Sequence, residues 1–273
     1  MAGNGNGLDV RGRVAVVTGG YGVLGGSMAE GLAAAGARVA ILGRNRQAAE
    51  AKVESLRRDG ADAMALVADV LEEHDLRSVR EQLLAAWGRV DILVNAAGGH
   101  VPEARTDHAP PFMMPLPAFD EVVRLNLHGT VYPTLLFGEA MAQKKAGAVV
   151  NISSMAATQA VSGVVGYSAA KAAIENFTRW IAVDLARRYG PGLRVNAIAP
   201  GFFVAKQNRG VLIAEDGTPT ERARTILART PMGRFGDPAD LQGPVLWLCS
   251  DAAAFVTGAV IPVDGGFGAD SGI

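Results

Sequence analysis

The sequence predicts an α/β fold with a doubly wound, seven-stranded parallel sheet, helices on both faces and a single domain. Short runs of β-branched and other apolar residues alternate with longer helical patterns, which is typical of strands buried on both faces and joined by crossover helices. A glycine-rich loop directly follows the first of these runs. The length of 273 residues and the hydrophobic content of 49% suit one large core, and no linker separates a second domain.

The predicted elements follow one another in regular order. Strands are predicted over residues 13–18, 38–43, 63–67, 91–94, 148–153, 193–198 and 259–263. Helices are predicted over residues 23–35, 47–59, 72–87, 118–144, 167–189, 220–229 and 237–250, the last two with N-caps Thr220 and Asp237. Residues 1–10 are expected to be disordered, and residues 11–273 are expected to form the one domain.

The composition argues against several classes of protein. The net charge is −1 with acidic and basic residues interspersed, which gives no support to binding of nucleic acid or of a membrane surface. No apolar run approaches the roughly 18 residues of a transmembrane helix, and the N-terminus lacks the apolar core of a signal peptide, so a cytoplasmic protein is expected. The single cysteine, Cys249, is expected to be a buried structural thiol.

The glycine-rich loop after the first strand predicts a dinucleotide site. Gly20, Gly22 and Gly25 fit the pattern G-x-G-x-x-G between a strand and a helix, which is the phosphate-binding arrangement of Rossmann-type folds. Glycines let the backbone approach a pyrophosphate, and the helix N-terminus offers free N–H groups and the positive end of its dipole. A glycine-rich turn without a ligand is the alternative.

The end of the second strand indicates which cofactor is used. An acidic residue about twenty residues past the glycines would bind the ribose 2′-hydroxyl of NAD, but Gly43 occupies this position and Arg44 follows it. A guanidinium without a neighbouring carboxylate suits the 2′-phosphate, so NADP(H) is predicted over NAD(H), with exposed arginines at a helix start as the alternative. Asp69, after the third strand, is a candidate either to accept from the adenine amino group or to cap the next helix.

Tyr167 and Lys171 are four positions apart and therefore share one face of a predicted helix. A free tyrosine has a pKa of about 10, and a cation about 4 Å away is expected to lower this pKa by roughly 3 units before desolvation takes some of the effect back. Tyr167 would then serve as a general acid or base, with Ser154 orienting the substrate oxygen. Alternatively, the pair is a half-buried tyrosine beside a solvated lysine.

Two stretches are expected to form loops beside a small-molecule substrate, near residues 99–118 and 202–230. The first is long, bears prolines and follows the carboxyl end of a strand, where open α/β sheets bind ligands. Its His100 and His108 would either contact substrate or stay solvated. The second contains a segment, residues 204–217, that is expected to be an irregular lid with candidates to hold an anionic substrate: Lys206, Gln207, Asn208 and Arg209.

A set of motifs runs in order along the chain: the Thr18 to Gly25 loop, Asp69-Val70, Asn95-Ala96-Ala97-Gly98, Asn126, Ser154, Tyr167-x-x-x-Lys171 and Pro200-Gly201. Together they resemble the short-chain dehydrogenase/reductase family over essentially the whole chain. The resemblance implies that Tyr167 donates or accepts a proton and that Lys171 binds the nicotinamide ribose and lowers the Tyr167 pKa. Ser154 would hold the substrate oxygen. Asn126, whose amide otherwise has a structural role, would anchor a proton-relay water.

The resemblance also implies a cofactor site, and it implies no metal. Besides Tyr167 and Lys171, the residues expected to bind the cofactor are Thr18, Gly19, Tyr21, Gly22, Val23, Leu24, Arg44, Asp69, Val70, Asn95, Ala96, Ala97, Gly98, Pro200, Gly201 and Phe203. Members of the family are commonly tetrameric, so a homotetramer is expected.

Several segments more narrowly resemble one branch of the family: residues 22–26, 200–203, 207–209, 230–236 and 263–267, together with the long insert after Gly99. This is the D-mannonate oxidoreductase (fructuronate reductase) branch, which implies oxidation of a secondary alcohol of a sugar acid, or the reverse reduction. Three positions depart from the usual pattern. Val23 replaces a loop glycine, Gly43 replaces an aspartate, and Val204-Ala205 replaces a threonine that holds the carboxamide.

The expected function is hydride transfer between a nicotinamide cofactor and a secondary alcohol or ketone, most concretely D-mannonate or D-fructuronate. A reductase or dehydrogenase of another polyol, sugar or ketone is the nearest alternative. A dinucleotide-binding sensor without catalysis is a remote one, because fold does not imply function. The complete set of Asn126, Ser154, Tyr167 and Lys171 argues against it.

Overall fold

The computed structural model describes residues 7–107, 110–205 and 208–271. A sheet of seven strands runs through the middle, and every neighbouring pair of strands is parallel. The strands are β1 Val14–Thr18, β2 Arg38–Gly43, β3 Ala63–Val67, β4 Ile92–Asn95, β5 Gly147–Ile152, β6 Leu193–Pro200 and β7 Val260–Val263. The predicted sheet is therefore confirmed, with small shifts at the strand ends.

The strand order is β3-β2-β1-β4-β5-β6-β7, so the chain reverses its direction of travel across the sheet between β3 and β4. As a result β1 pairs with β2 on one side and with β4 on the other. The crossovers after β1 and β4 leave in opposite directions, which opens a crevice at the carboxyl ends of these two strands. Ligands of doubly wound folds bind in this crevice.

Most of the helices lie close to their predicted positions. They are α1 Val23–Ala34, α2 Arg46–Arg58, α3 Glu73–Trp87, α4 Leu116–Val123, α5 Gly129–Lys144, α6 Val165–Tyr189, α7 Arg209–Leu212, α8 Glu221–Ala228 and α9 Gln242–Cys249. Both predicted N-caps are confirmed, because Thr220 Oγ1 accepts from the Ala223 N–H at 3.2 Å and Asp237 Oδ1 accepts from the Ala239 N–H at 2.8 Å.

Two hydrophobic layers cover the two faces of the sheet. On β1, Val17 belongs to the layer that contains Met28 of α1 and Leu248 of α9. The preceding residue, Val16, belongs to the opposite layer with Phe137 of α5. All five side chains are fully buried. Because successive residues of a strand point to opposite faces and both faces are covered, the strands read as continuous apolar runs in the sequence.

The helix predicted over residues 118–144 is interrupted. A π-helical turn, Arg124–His128, separates α4 from α5 and contains the fully buried Asn126. The Asn126 Nδ2 group donates to the carbonyl of Val122, in the last turn of α4, at 2.8 Å. Such π-helical turns often occur at functional sites, and sequence periodicity alone does not reveal them.

Two further stretches differ from the sequence prediction. The helix predicted over residues 237–250 begins as a 3₁₀ turn, Pro238–Leu241, before α9 follows. Its capping box, in which Asp237 and Asp240 each accept from the other's backbone N–H, favours this tight turn. The segment 204–217, predicted to be irregular, contains the short helix α7.

The N-terminal segment is held against the domain before β1 begins. Residues 1–6, which belong to the stretch predicted to be disordered, lie outside the described residues. The Gly7 carbonyl accepts from the Ala252 N–H at 2.8 Å, and Val10 is buried in the same layer as Val17. Among the helices of the described ranges, none is long and apolar enough to cross a membrane.

Candidate active site

The glycine loop forms one wall of the crevice between β1 and β4. It turns through Gly19, whose φ of 63° lies in the left-handed region that favours glycine. Gly22 precedes α1 and offers no side-chain cap, so the N-terminus of that helix is open toward the crevice. A Cβ atom on Gly25 would collide with the Gly19 carbonyl. The loop therefore needs glycine at both positions to let its backbone lie this close to α1.

The turn after β4 forms the other wall. The Thr18 hydroxyl, at the end of β1, accepts from the backbone N–H groups of Ala96 at 3.1 Å and Ala97 at 3.0 Å. At Gly98, a Cβ atom would lie only 2.7 Å from Asn126 Oδ1. Both walls are thus made of small residues and exposed backbone, which fits the pyrophosphate and flat rings of a dinucleotide.

Asn95 lies at the end of β4, but its side chain points away from the crevice. It is almost fully buried and donates to Thr134 Oγ1 and to Asn151 Oδ1, both at 2.8 Å. Its own Oδ1 atom has no hydrogen-bond partner among the described residues. Any contact of Asn95 with a cofactor would therefore come from its backbone.

The end of β2 is covered by the ring of Tyr21. A Cβ atom on Gly43 would lie 2.9 Å from Tyr21 Cζ and closer still to Cε1, so the ring occupies the place of a side chain at residue 43. The Tyr21 hydroxyl accepts from the Asn45 N–H at 3.3 Å. The aspartate usual in the branch could stand at residue 43 only if this ring moved.

Arg44 and Asp69 face each other across the same end of the crevice. Arg44 Nη1 lies 3.6 Å from Asp69 Oδ2, and the Arg44 side chain is 70% exposed, so the guanidinium is free to turn toward a ligand. Asp69 Oδ1 accepts from the Leu71 N–H at 2.9 Å. The N-cap of α3 is Glu72, so the alternative in which Asp69 caps that helix is wrong.

The remaining predicted cofactor residues occupy the rim of the crevice. Leu24 lines the pocket beside Ser154, whereas Val23 is 37% exposed at the start of α1. Val70 is buried. The turn after β6 is tight, since a Cβ atom on Gly201 would lie 2.7 Å from the Asp264 Cα atom, and Pro200, Gly201 and Phe203 all line the pocket.

Ser154, Tyr167 and Lys171 come together at the carboxyl end of β5. Ser154 caps a 3₁₀ turn, with its Oγ accepting from the Ala156 N–H at 3.1 Å. Lys171 is almost fully buried; its ammonium donates to the Ile152 carbonyl at 2.7 Å and lies 5.4 Å from the centre of the Tyr167 ring. The helical spacing seen in the sequence does place the tyrosine and the lysine on one face of α6.

Burial dominates the proton affinities of this group. Desolvation raises the Tyr167 pKa above its usual value, while a hydrogen bond with Ser154 lowers it in part. Desolvation also lowers the Lys171 pKa to about 7. The Tyr167 shift is therefore opposite to the one expected from the pair alone, because both groups leave water and the Lys171 charge is held by the Ile152 carbonyl rather than by the phenol.

Asn126 connects the π-helical turn to the loop after β4. Its Nδ2 donates to the Gly99 carbonyl at 2.8 Å, and its Oδ1 accepts from the Gly99 N–H at 3.1 Å. The residue after Gly99, His100, packs against Tyr167 in a tilted arrangement, with ring centres 4.5 Å apart and ring planes at 46°. Burial and the nearby Arg105 and Lys171 lower the His100 pKa. Asn126 thereby fixes the backbone from which a neutral His100 reaches the tyrosine.

One pocket joins these residues to the loops predicted to contact substrate. It is lined by His100, Ser154, Tyr167 and Asn208, and also by Arg105 and Arg222, which the sequence reasoning did not single out. Arg105 lies in the segment predicted to be a substrate loop, which is a partial signal in the sequence. No sequence pattern distinguishes Arg222 from the other arginines of the predicted helices.

The predicted lid residues that the structure describes, Asn208 and Arg209, have different surroundings. Asn208 braces the turn after β6, because its Oδ1 accepts from the Ala205 N–H at 2.7 Å and its Nδ2 donates to the Phe203 carbonyl at 2.8 Å. Arg209 begins α7 and is exposed, outside the lining of the pocket. His108, Lys206 and Gln207 lie outside the described residues.

Among the described residues, neither the cysteine nor a cluster of metal-binding side chains forms a second centre. Cys249 is fully buried, and burial raises its thiol pKa to about 12, as suits a structural thiol. Within the part of the chain that the structure describes, His, Cys, Asp and Glu side chains form no group of three that could hold a metal ion.

A backbone-lined dinucleotide crevice that opens on a pocket with serine, tyrosine and lysine is the arrangement of a nicotinamide-dependent oxidoreductase. The chain belongs to the short-chain dehydrogenase/reductase family, and residues 22–268 match the family model described as enoyl-(acyl carrier protein) reductase. It is accordingly an NAD(P)-dependent oxidoreductase that acts on CH–OH groups. The resemblance drawn from the motifs is confirmed.

Individual relatives are similar to the chain over almost its full length. UxuB, an uncharacterized oxidoreductase of Bacillus subtilis (strain 168), is 44% identical over 275 residues that cover 97% of this chain and 98% of UxuB. A crystal structure from Haemophilus influenzae, provisionally named a D-mannonate oxidoreductase and holding NAD, has a TM-score of 0.91 with 39% identity and covers 97% of this chain and 98% of that one. A Beutenbergia cavernae structure, provisionally named an NAD(P)-dependent gluconate 5-dehydrogenase and holding NADP at low occupancy, has a TM-score of 0.86 with 38% identity and covers 97% and 100%.

The buried Lys171 predicts a pH-dependent contribution to stability. Its pKa is about 7 in the folded chain against 10.5 for an ordinary lysine, so the unfolded chain binds more protons between these values and the free energy of unfolding rises with pH there. The gain in free energy of unfolding of Lys171→Met over the wild type should therefore be largest below pH 7 and shrink as the pH rises from 7 toward 9.5. Urea unfolding at several pH values measures this difference. Lys145→Met removes an exposed lysine and is the control; a Lys171→Met difference that does not vary with pH would contradict the prediction.

Proposed function

We propose that the protein interconverts the secondary alcohol and the ketone of a sugar acid, with D-mannonate and D-fructuronate as the most concrete pair. The observation that carries this proposal is the pocket in which Ser154 and Tyr167 lie together, next to Leu24 at the start of α1. A substrate oxygen between the two hydroxyls would lie beside the crevice, where hydride transfer can take place.

The residues of the site fit a nicotinamide dinucleotide, because both walls of the crevice are backbone and small side chains. The nicotinamide, when bound, gives or takes the hydride. Tyr167 gives or takes the proton of the substrate oxygen, and Ser154 holds that oxygen in place. The raised pKa keeps Tyr167 protonated at neutral pH, so it is ready to act as the acid during ketone reduction.

Lys171 and Asn126 support Tyr167 from behind. The Lys171 pKa of about 7 lets this side chain gain or lose a proton near neutrality, so it can stabilise the phenolate when Tyr167 acts as a base. Asn126 acts as a positioning residue, since its bonds to Gly99 hold the loop that carries His100. The predicted proton-relay water at Asn126 stays a prediction.

The choice of a sugar acid is supported by the relatives whose names include D-mannonate oxidoreductase and gluconate 5-dehydrogenase. The pocket itself combines polar groups with apolar side chains such as Met155, Val161 and Phe202. This apolar part of the lining favours a second candidate, an uncharged ketone or secondary alcohol with few hydroxyl groups. The comparison of charged and neutral substrates distinguishes the two.

We propose that NADP(H) is the preferred cofactor. Gly43 carries no carboxylate that would repel a 2′-phosphate, and the exposed Arg44 can turn from Asp69 toward that phosphate. One relative holds NAD and another holds NADP, so the relatives do not decide between the two cofactors. The proposal rests on the residues at this end of the crevice.

Assembly into a homotetramer is also proposed. Large apolar side chains on α5 and α6 are exposed in the single chain, with Leu135 at 52%, Trp180 at 63% and Val183 at 48%. Such surfaces are typical of faces that are covered by another chain. The cytoplasmic location expected from the sequence stays a prediction.

The substrate class can be tested by initial rates, followed by the absorbance of reduced cofactor. We expect kcat/KM for D-mannonate to exceed that for the uncharged D-mannitol by about a hundredfold or more, because a site with partners for a charged group discriminates strongly against its absence. D-Gluconate tests the neighbouring sugar-acid class. Activity with D-mannitol or cyclohexanol and none with any sugar acid would overturn the proposal.

The role of Tyr167 can be tested with Tyr167→Phe, which removes one oxygen and keeps the ring. We expect kcat to fall by about 10²–10⁴-fold, the range that general acid–base catalysis contributes, while the affinity for NADP measured by fluorescence titration stays the same. Tyr189→Phe, at the far end of the same helix, is the matched control. Turnover that survives in Tyr167→Phe would exclude the proposed proton transfer.

Cofactor preference can be tested at residue 43 with two variants. Both Gly43→Ala and Gly43→Asp displace the Tyr21 ring, but only the aspartate adds a charge beside a 2′-phosphate. We expect Gly43→Asp to lower the NADP-to-NAD ratio of kcat/KM by about tenfold or more relative to Gly43→Ala, through like-charge repulsion. Equal ratios in the two variants would contradict the assignment of this position.

A further inference from the structure

The charged side chains that line the pocket are of one sign. Among the described lining residues, the charged ones are Arg105 and Arg222, and neither aspartate nor glutamate is present. Their side chains are 26% and 34% exposed, so both are partly buried. Both share the pocket with Ser154 and Tyr167. A pocket of this kind attracts anions and disfavours cationic ligands.

The two arginines come from distant parts of the chain and are held by one carboxylate. Arg105 lies in the long insert and donates through Nε to Asp107 Oδ2 at 2.6 Å. Arg222 lies in the first turn of α8, with Nη1 3.7 Å from Asp107 Oδ1. Asp107 thus joins the insert to the segment that follows β6, and it fixes the positions of both guanidinium groups.

The backbone under this cluster keeps it in place. Arg222 also donates to the Ser162 Oγ at 3.1 Å and to the Ser162 carbonyl at 3.2 Å. Gly163 has a φ of 81°, and a Cβ atom there would collide with the Asp107 carboxylate. Thr106 N–H donates to the Gly163 carbonyl at 3.2 Å. The arginines are therefore prearranged, which reduces the entropy lost when a ligand binds.

The cluster keeps a positive charge and free donors after its internal bonds are made. Two guanidinium groups and the single Asp107 carboxylate leave a net charge of +1. Each guanidinium has five N–H donors, and the bonds described above use only some of them. A planar carboxylate with two acceptor oxygens is the anion that matches guanidinium geometry.

We propose that Arg105 and Arg222 bind the carboxylate of the substrate, while Ser154 and Tyr167 hold the reacting oxygen at the other part of the same pocket. This assignment rests on the proposed function and identifies the residues that make the enzyme specific for acids. It also gives Asp107 a role as the positioning residue of the pair. The exposed Arg209, expected from the sequence, is not needed for this contact.

The test compares Arg105→Gln, Arg222→Gln and the double variant with the wild type. Arg224→Gln is the matched control, because Arg224 lies on the same helix, is exposed and donates to the Pro219 carbonyl outside the pocket. Two readouts are used: steady-state kinetics with NADP and either D-mannonate or D-mannitol, and calorimetric titration of the enzyme–NADPH complex with D-mannonate. The titration does not depend on turnover, because the reduced cofactor and the alcohol cannot react with each other.

We expect the double variant to weaken D-mannonate binding and to raise its KM by about tenfold or more, with kcat changed much less, since two charge-assisted contacts are lost. Kinetics with D-mannitol should stay within about twofold of the wild type, and Arg224→Gln should behave as the wild type. Arg222→Lys, which keeps the charge, should restore part of the affinity in comparison with Arg222→Gln.

Equal D-mannonate affinity in the wild type and the double variant overturns the proposal, as does an equal loss for D-mannonate and D-mannitol. A wild-type complex that fails to bind D-mannonate overturns it too. The wild type could bind D-mannonate without turning it over, and the double variant could lose that binding. This result would support the role of the arginine pair, while the proposed function would fail. Thermal melting confirms that each variant is folded, and the single variants and Arg222→Lys carry the test if the double variant does not fold.

Discussion

The site depends on one pair of hydrogen bonds, which the Thr18 hydroxyl at the end of β1 accepts from two backbone N–H groups in the turn after β4. Parallel pairing aligns β1 with β4. The two hydrogen bonds then hold the glycine loop and the turn of residues 96–98 at a fixed separation. The crevice between them has backbone on both sides. Its shape therefore follows from strand order and small residues rather than from any side chain that points into it.

The desolvation of Tyr167 and Lys171 is the second constraint. It explains why the tyrosine needs the Ser154 hydroxyl and the lysine needs the Ile152 carbonyl as hydrogen-bond partners. At 4% exposure, the Lys171 ammonium gives up most of its hydration and keeps its charge only partly at neutral pH. The same desolvation raises the pKa of Tyr167 and keeps it protonated, and the hydrogen bond with Ser154 offsets part of this rise. Its proton affinity is therefore set by the whole pocket, and the carboxyl end of β5 brings its members together.

Periodicity and glycine spacing were sufficient to predict the sheet, the crevice and the group at Tyr167, because these depend on local patterns along the chain. The π-helical turn at Asn126 was not predictable, since its hydrogen bonds lead to Gly99, twenty-seven positions earlier in the chain. The same holds for Tyr21 over Gly43 and for Arg222 beside Asp107, which are tertiary contacts without a signature in sequence. The direction of the Tyr167 pKa shift could not be predicted either, because it depends on how deeply the folded chain buries the pocket.

The pocket combines the polar side chains of Ser154, Tyr167, Arg105 and Arg222 with apolar ones, and the proposal places the alcohol and the acid of one substrate at different parts of it. A crystal structure of the enzyme with NADPH and D-mannonate, which cannot react with each other, tests this arrangement most directly. We expect the substrate oxygen that reacts to lie about 2.6–3.2 Å from both Ser154 Oγ and Tyr167 Oη, with the carboxylate at Arg105 and Arg222. A sugar acid bound elsewhere, or bound with its carboxylate toward Tyr167, would contradict it.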